Sequence, residues 1–246
     1  MSKQTDNPSL KEYKVWDIPT RVFHWINFLS VISLIFVACI MMFKKELGIT
    51  GLEAKIALKE VHIIIGYVFA CNLMIRIIWG FVGGQYSRWK NIVPGKGYII
   101  QLKAYLASIK KGTPDTYLGH NPLGRLAVVA MILLMLALML SGFIRAGTDV
   151  YYPPFGNAIA QYVADKNTLA KDIAPYDKTG TNPQKMADIK VVKSIFGEVH
   201  EIAAFTLMFI IALHIFIVIR MEIREGGTLI SAMFTGKKTL KDSPKD

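Results

Sequence analysis

The chain has 246 residues, of which 52% are hydrophobic and 19% charged, a composition too apolar for an ordinary soluble domain. Its 29 Lys and Arg against 18 Asp and Glu give a formal charge of +11, and in so apolar a chain that surplus points to basic loops beside a membrane and away from nucleic acid. The two cysteines, Cys39 and Cys71, both lie in apolar runs, which excludes a disulfide framework, a zinc motif and a Cys-x-x-Cys-His haem attachment.

The first nineteen residues are polar and partly acidic, unlike the n-region of a signal peptide, so the first apolar run is expected to stay as an anchor. Four apolar runs follow: Val22 to Phe43, Val61 to Val82, Leu123 to Ile144 and Ile195 to Ile219. At ~1.5 Å per residue each is long enough to cross a ~30 Å hydrocarbon core. The predicted fold class is an all-α membrane protein, a four-transmembrane-helix bundle over residues 1–225 with a cytoplasmic tail over 226–246.

Four spans put both termini on one side. The three segments on that side, up to Arg21, from Gly83 to Pro122 and from Arg220 onward, hold 16 Lys and Arg, whereas Lys44 to Glu60 and Arg145 to Ser194 hold 11. The larger set belongs in the cytoplasm, so both termini are expected inside. Between the second and third spans, Gly95 to Lys111 repeats apolar residues at helical spacing beside Lys, which predicts an amphipathic helix lying in the membrane interface. Thr148 to Lys193 is too long for a connector. It either docks a periplasmic partner or forms a solvated cap.

Four of the five histidines, His24, His62, His200 and His214, fall inside the spans. Such side chains are costly in hydrocarbon and should face the bundle interior, carrying function or an interhelical hydrogen bond. Their depths match in pairs. His62 and His200 each stand two residues after a glutamate at the outer end of a span, in Glu60-Val61-His62 and Glu198-Val199-His200. His24, three residues after Arg21, and His214, six before Arg220, lie near the inner end. The fourteen residues from His200 to His214 bring the two imidazoles to nearly one face, ~21 Å apart along the helix. One helix thus serves two stacked sites. A planar haem with one neutral imidazole on each side suits that arrangement, whereas a zinc ion would want its four ligands together.

Small residues near the histidines, Gly66, Ala203 and Ala204, leave room for a macrocycle and are equally ordinary at helix contacts. Arg76 lies fourteen residues after His62 on the same face, and Arg125 stands just inside the third span. A buried arginine needs an anion: haem propionates supply one, and snorkelling to membrane lipid phosphate is the competing reading.

The stretch Val15-Trp16-Asp17-Ile18-Pro19-Thr20-Arg21-Val22-Phe23-His24-Trp25, the stretch His120-Asn121-Pro122-Leu123-Gly124-Arg125, and Val199-His200-Glu201 with His214 resemble the bacterial dihaem cytochrome b family of nickel-iron-hydrogenase type. The resemblance runs from about Tyr13 to about Glu225. It implies an inner-membrane electron carrier with two b haems, coupled to menaquinone or ubiquinone and to a redox partner protein: a hydrogenase, a cytochrome c or another reductase subunit. By analogy with the related membrane subunit of formate dehydrogenase, His62 and His200 would hold the outer haem and His24 and His214 the inner one. In that relative an Asn and a Gly at the start of the third span line a quinone pocket. Asn121 and Gly124 become candidates for that role, with His120 as a proton donor titrating near neutrality. The alternative is that Asn121-Pro122 simply starts a helix.

Two imidazoles per iron leave no open coordination position, which favours electron transfer over oxygen chemistry. Two rivals belong to other classes. One is a self-contained haem oxidoreductase acting on a small external substrate. The other is a haem-free transporter or anchor whose histidines relay protons.

Overall fold

The computed structural model describes residues 11–225, 229–240 and 244–245. Both the first ten residues of the polar N-terminal stretch and parts of the expected tail lie outside the described residues. Four helices are long and apolar enough to cross a membrane: α1 (Ile18–Met42), α2 (Leu52–Val82), α5 (Pro122–Val150) and α7 (Pro183–Glu225). The short α3 (Trp89–Ile92) and the amphipathic α4 (Tyr98–Lys110) stand between α2 and α5, α6 (Gly156–Val163) between α5 and α7, and α8 (Leu229–Thr235) after α7. A two-stranded antiparallel ribbon joins β1 (Lys11–Lys14) to β2 (Lys237–Leu240), with Lys11 opposite Leu240.

Three of the long helices start alike, with an Asx side chain capping the first turn and a proline where a missing N–H costs nothing. Asp17 Oδ1 accepts from the Thr20 N–H at 3.0 Å beside Pro19. Asn121 Oδ1 accepts from the Gly124 N–H at 2.7 Å beside Pro122. Asn182 Oδ1 accepts from the Gln184 N–H at 3.0 Å beside Pro183. Along the spans, Phe36, Phe81, Leu133 and Phe209 are each more than 60% exposed, as side chains that meet lipid should be.

The helices run further than the apolar runs predict. α2 begins at Leu52, nine residues before Val61, α5 continues six residues past Ile144, and α7 begins at Pro183, twelve before Ile195. An ionic cluster built from these extensions accounts for the difference. Asp149 of α5 pairs with Lys59 of α2 at 2.6 Å, with Arg145 one turn before it at 3.5 Å, and with Lys193 of α7. Charged turns that hydrophobicity would end at the membrane surface are tied together beyond it.

The chain forms two compact units. One comprises the described parts of Met1–Trp25, Ile75–Ile132 and Phe209–Asp246. Its core gathers Val15, Trp16, Leu118, Ala232 and Leu240, so the segment after α7 folds back onto the residues that precede α1. Gly236 makes the junction: its φ of +82° is left-handed, and a Cβ there would stand 2.7 Å from the Trp16 carbonyl oxygen. In the same unit α4 buries Tyr98 and Tyr105, two turns apart on one face, while Ile99 and Ile100 stay exposed, as an interfacial helix requires. The second unit comprises Ile26–Met74 and Leu133–Met208. It contains the long loop, which is folded: Ala160 and Val163 of α6 pack with Ile173, Met186 and Ile189, the last two on the first turns of α7.

Candidate functional site

In the second unit, α2 and α7 bring His62 and His200 together with ring centroids 6.4 Å apart and planes inclined by 66°. Two metal–imidazole bonds of about 2.0–2.1 Å each, with the ring radius added at both ends, come to roughly 6.3 Å. The separation of the two rings leaves room for one metal ion between them. Among the described residues no three His, Cys, Asp or Glu side chains converge as a metal centre. A macrocycle supplying the equatorial ligands fits this pair, and a bare zinc ion does not.

The surroundings of the pair suit such a group. Gly66, one turn after His62, has open space where a Cβ would stand. Ser141 and Gly142 of α5 lie against His200: Ser141 Oγ is 3.0 Å from His200 Nδ1, and a Cβ on Gly142 would meet the imidazole at 3.4 Å. Arg145, one turn further along α5, is near enough for its charge to act on both histidines. Together Lys59, Arg145 and Lys193 place three cations about the one carboxylate of Asp149.

In the first unit, His24 of α1 and His214 of α7 lie near enough for their charges to interact. Arg76 of α2 belongs to the same unit. Its side chain is 4% exposed and lies over the rings of Trp89 at 4.9 Å and Phe23 at 5.8 Å. Its Nη1 is buried with no hydrogen-bond partner. An unsatisfied buried guanidinium nitrogen calls for an anion, and a haem propionate is an anion of suitable chemistry.

Arg125 is placed differently. Its guanidinium donates to the carbonyls of Val93 at 2.7 Å and Ile92 at 3.2 Å and stacks over Tyr98. Those bonds make it a strut between α5 and the α3–α4 connection, so Arg76 is the better propionate candidate of the two. Asn121 is committed as well, since its Oδ1 caps α5 and its Nδ2 donates to the Tyr105 hydroxyl at 2.8 Å. A Cβ on Gly124 would stand 3.2 Å from Asn121 Oδ1, so Gly124 is packed within the cap itself.

His120 lies half-buried with its ring 5.0 Å from Trp16. Lys238 of β2 pins the residues before it, donating to the carbonyls of Tyr117, Leu118 and Gly119 at 3.3, 2.7 and 3.3 Å. Burial, then the charges of Lys238 and Arg76, push the His120 pKa down to about 3. Burial and those charges therefore favour the neutral imidazole. His120 and Arg125 line a cavity of about 580 Å³ with Tyr86, Gln101 and Tyr117, to which Asn121 and Gly124 do not contribute.

Four functional-looking residues escape sequence reasoning. Ser141, Gly142 and Arg145 sit at the end of an apolar run where a Ser-Gly pair and a terminal arginine look like ordinary packing and anchoring. Asp17 accepts from Thr20 N–H, Trp79 Nε1, Gly84 N–H and Ser87 Oγ, and so fastens the start of α1 to the end of α2. Its place in the Trp16-Asp17-Ile18-Pro19 motif was the available signal.

Four helices long and apolar enough to cross a membrane, three of them carrying histidines, define a class, the multi-pass membrane proteins with histidines in their spans. Within that class the chain belongs to the prokaryotic cytochrome b561 family, whose model matches residues 15–236. Similar curated proteins include the probable Ni/Fe-hydrogenase 1 B-type cytochrome subunit of Escherichia coli, 24% identical over 98% of this chain and 96% of the relative. The probable Ni/Fe-hydrogenase B-type cytochrome subunit of Rhizobium leguminosarum is 24% identical over 93% of this chain and 89% of the relative, and that of Azotobacter vinelandii 23% over 94% and 90%. The protein is a membrane b-type cytochrome.

Proposed function

We propose that this cytochrome is the membrane subunit of an electron-transfer complex, passing electrons between a nickel-iron hydrogenase on the periplasmic side and the quinone pool. His62 with His200 would hold one haem b, and His24 with His214 a second. The observation that carries the reading is the 6.4 Å separation of the His62 and His200 rings, which matches bis-imidazole coordination. When bound, a haem supplies a one-electron couple at its iron.

The chain's own residues hold and orient. Arg76 would supply a cation for a propionate of the group held by His24 and His214, and Arg145 for that held by His62 and His200. Quinone exchanges at the cavity lined by His120, Gln101, Tyr117 and Arg125. His120, which burial and neighbouring cations bias toward the neutral imidazole, would orient a quinone there. Both termini lie in the cytoplasm, in agreement with the 16 basic residues on their side. The cap around α6, with Phe155 and Tyr162 exposed, offers the surface for the hydrogenase.

Reconstituted protein tests the reading directly. A short-chain quinol should reduce it with the rise of a b-type α-band. His62→Ala and His200→Ala should remove the same haem, and His24→Ala and His214→Ala the other. Failure of quinol reduction in protein that dithionite reduces would refute the quinone assignment, and loss of different haems within a pair would refute the pairing.

A further inference from the structure

We propose that Ser141 and Gly142 form a seat that fixes the tautomer and ring orientation of His200, and that the Ser141 hydroxyl thereby sets the reduction potential of the haem His200 holds. The inference rests on the haem assignment made above and adds a positioning residue to it. Ser141 is 1% exposed in an apolar stretch of α5, where a lone hydroxyl must find partners within the protein.

Its partners decide the direction of the bond. Ser141 Oγ lies 2.6 Å from the Ala137 carbonyl oxygen, one turn back, and 3.3 Å from that of Leu138. A serine has one proton, and the short contact to Ala137 commits it to the backbone, the usual i−4 bond of a helical serine. Its lone pairs then face His200 Nδ1 at 3.0 Å, so the imidazole is the donor there, with the Leu138 backbone carbonyl as a second acceptor within reach of the ring. A neutral ring with its proton on Nδ1 has a bare Nε2, the form needed to bind iron. Gly142 completes the seat, since a Cβ at that position would stand in van der Waals contact with His200 Cε1 at 3.4 Å, which places the α5 backbone directly against the ring.

The two ligands of this pair are not equivalent. His62 Nδ1 is buried without a hydrogen-bond partner, whereas His200 Nδ1 joins a chain running from imidazole N–H through the serine hydroxyl to the Ala137 carbonyl. Bonds in such a chain polarise one another. Hydrogen bonding at the distal ring nitrogen makes an imidazole a stronger donor to its metal. A stronger donor favours ferric over ferrous iron and so lowers the potential.

Ser141→Ala removes the hydroxyl in a residue suited to a helix. The expected result is a rise in the midpoint potential of the haem lost in His200→Ala, by roughly five- to tenfold in the ferrous-to-ferric ratio, up to about 59 mV for a one-electron couple. The other haem should keep its potential, and Ser141→Thr should restore the wild-type value. Unchanged potentials in Ser141→Ala overturn the proposal, as does an equal shift in Ser141→Thr. Should Ser141→Ala lose the haem outright, retention in Ser141→Thr supports the seat and loss in both overturns it. A wild-type chain without two haems would instead refute the haem assignment itself, so the two failures are distinguishable.

Discussion

Replacing Arg76 by Met should have opposite effects in haem-free and haem-loaded protein. The guanidinium is 4% exposed, its Nη1 is unpaired, and its aromatic neighbours, Trp89 and Phe23, are held by packing. In haem-free protein the substitution removes a buried cation that the Asp17 carboxylate compensates only through space, a change worth ~1–4 kcal/mol in favour of an apolar residue. Against it stands the loss of cation–π attraction, about 1–2 kcal/mol. The haem-free variant should therefore melt at the wild-type temperature or slightly above. In loaded protein the same cation faces a propionate, and breaking a buried pair costs ~3–5 kcal/mol. Partial solvation of a propionate argues for the low end, which at 1.36 kcal/mol per tenfold means about a hundredfold weaker haem retention. The assay is competition for haem against a haem-scavenging apoprotein, with thermal melts of both forms in detergent. The same sign of effect in both forms, or unchanged retention, would refute the assignment of Arg76 as a propionate partner.

Other consequences follow from the same geometry. Asn121→Ala should cost about 1 kcal/mol as a lost N-cap while leaving the rate of haem reduction by quinol unchanged, which separates its capping of α5 from a quinone contact. Asp149→Asn leaves Lys59, Arg145 and Lys193 facing one another. Because these cations are 25–37% exposed, the penalty is held to about 1–2 kcal/mol, seen as a lower melting temperature that high salt partly restores. His120 binds a proton more readily unfolded than folded, so its contribution to stability is present above the unfolded pKa and is lost as pH falls from about 6.5 toward 3. His120→Gln should flatten that part of the pH–stability curve, and an unchanged slope would refute the burial of a neutral ring.

The spans and the interfacial helix were legible in the sequence because each rests on local periodicity. Apolar runs mark the helices crossing the membrane, and the distances of His62 and His200 from Glu60 and Glu198 mark their depth. What escaped is non-local. The extension of α7 back to Pro183 depends on Lys193 meeting Asp149 from another helix, and no hydrophobic pattern announces it. The pairing of Lys11–Lys14 with Lys237–Leu240 joins opposite ends of the chain through short polar strands that carry no strong signal of their own. Asn121 shows a different limit. Its residue type suits a quinone contact and a helix cap equally, and only the 2.7 Å bond to the Gly124 N–H shows the cap. The hydroxyl of Ser141 is legible only when the ring of His200 is set beside it.

The most direct test of two bis-histidine haems in one chain is the haem-to-protein ratio of the purified cytochrome, read with its reduced-minus-oxidised spectrum. The wild type should hold two b haems per chain, His200→Ala and His214→Ala one each with different α-bands and potentials, and the double variant none. A ratio of one in the wild type, or loss of the same haem in both single variants, would contradict the account.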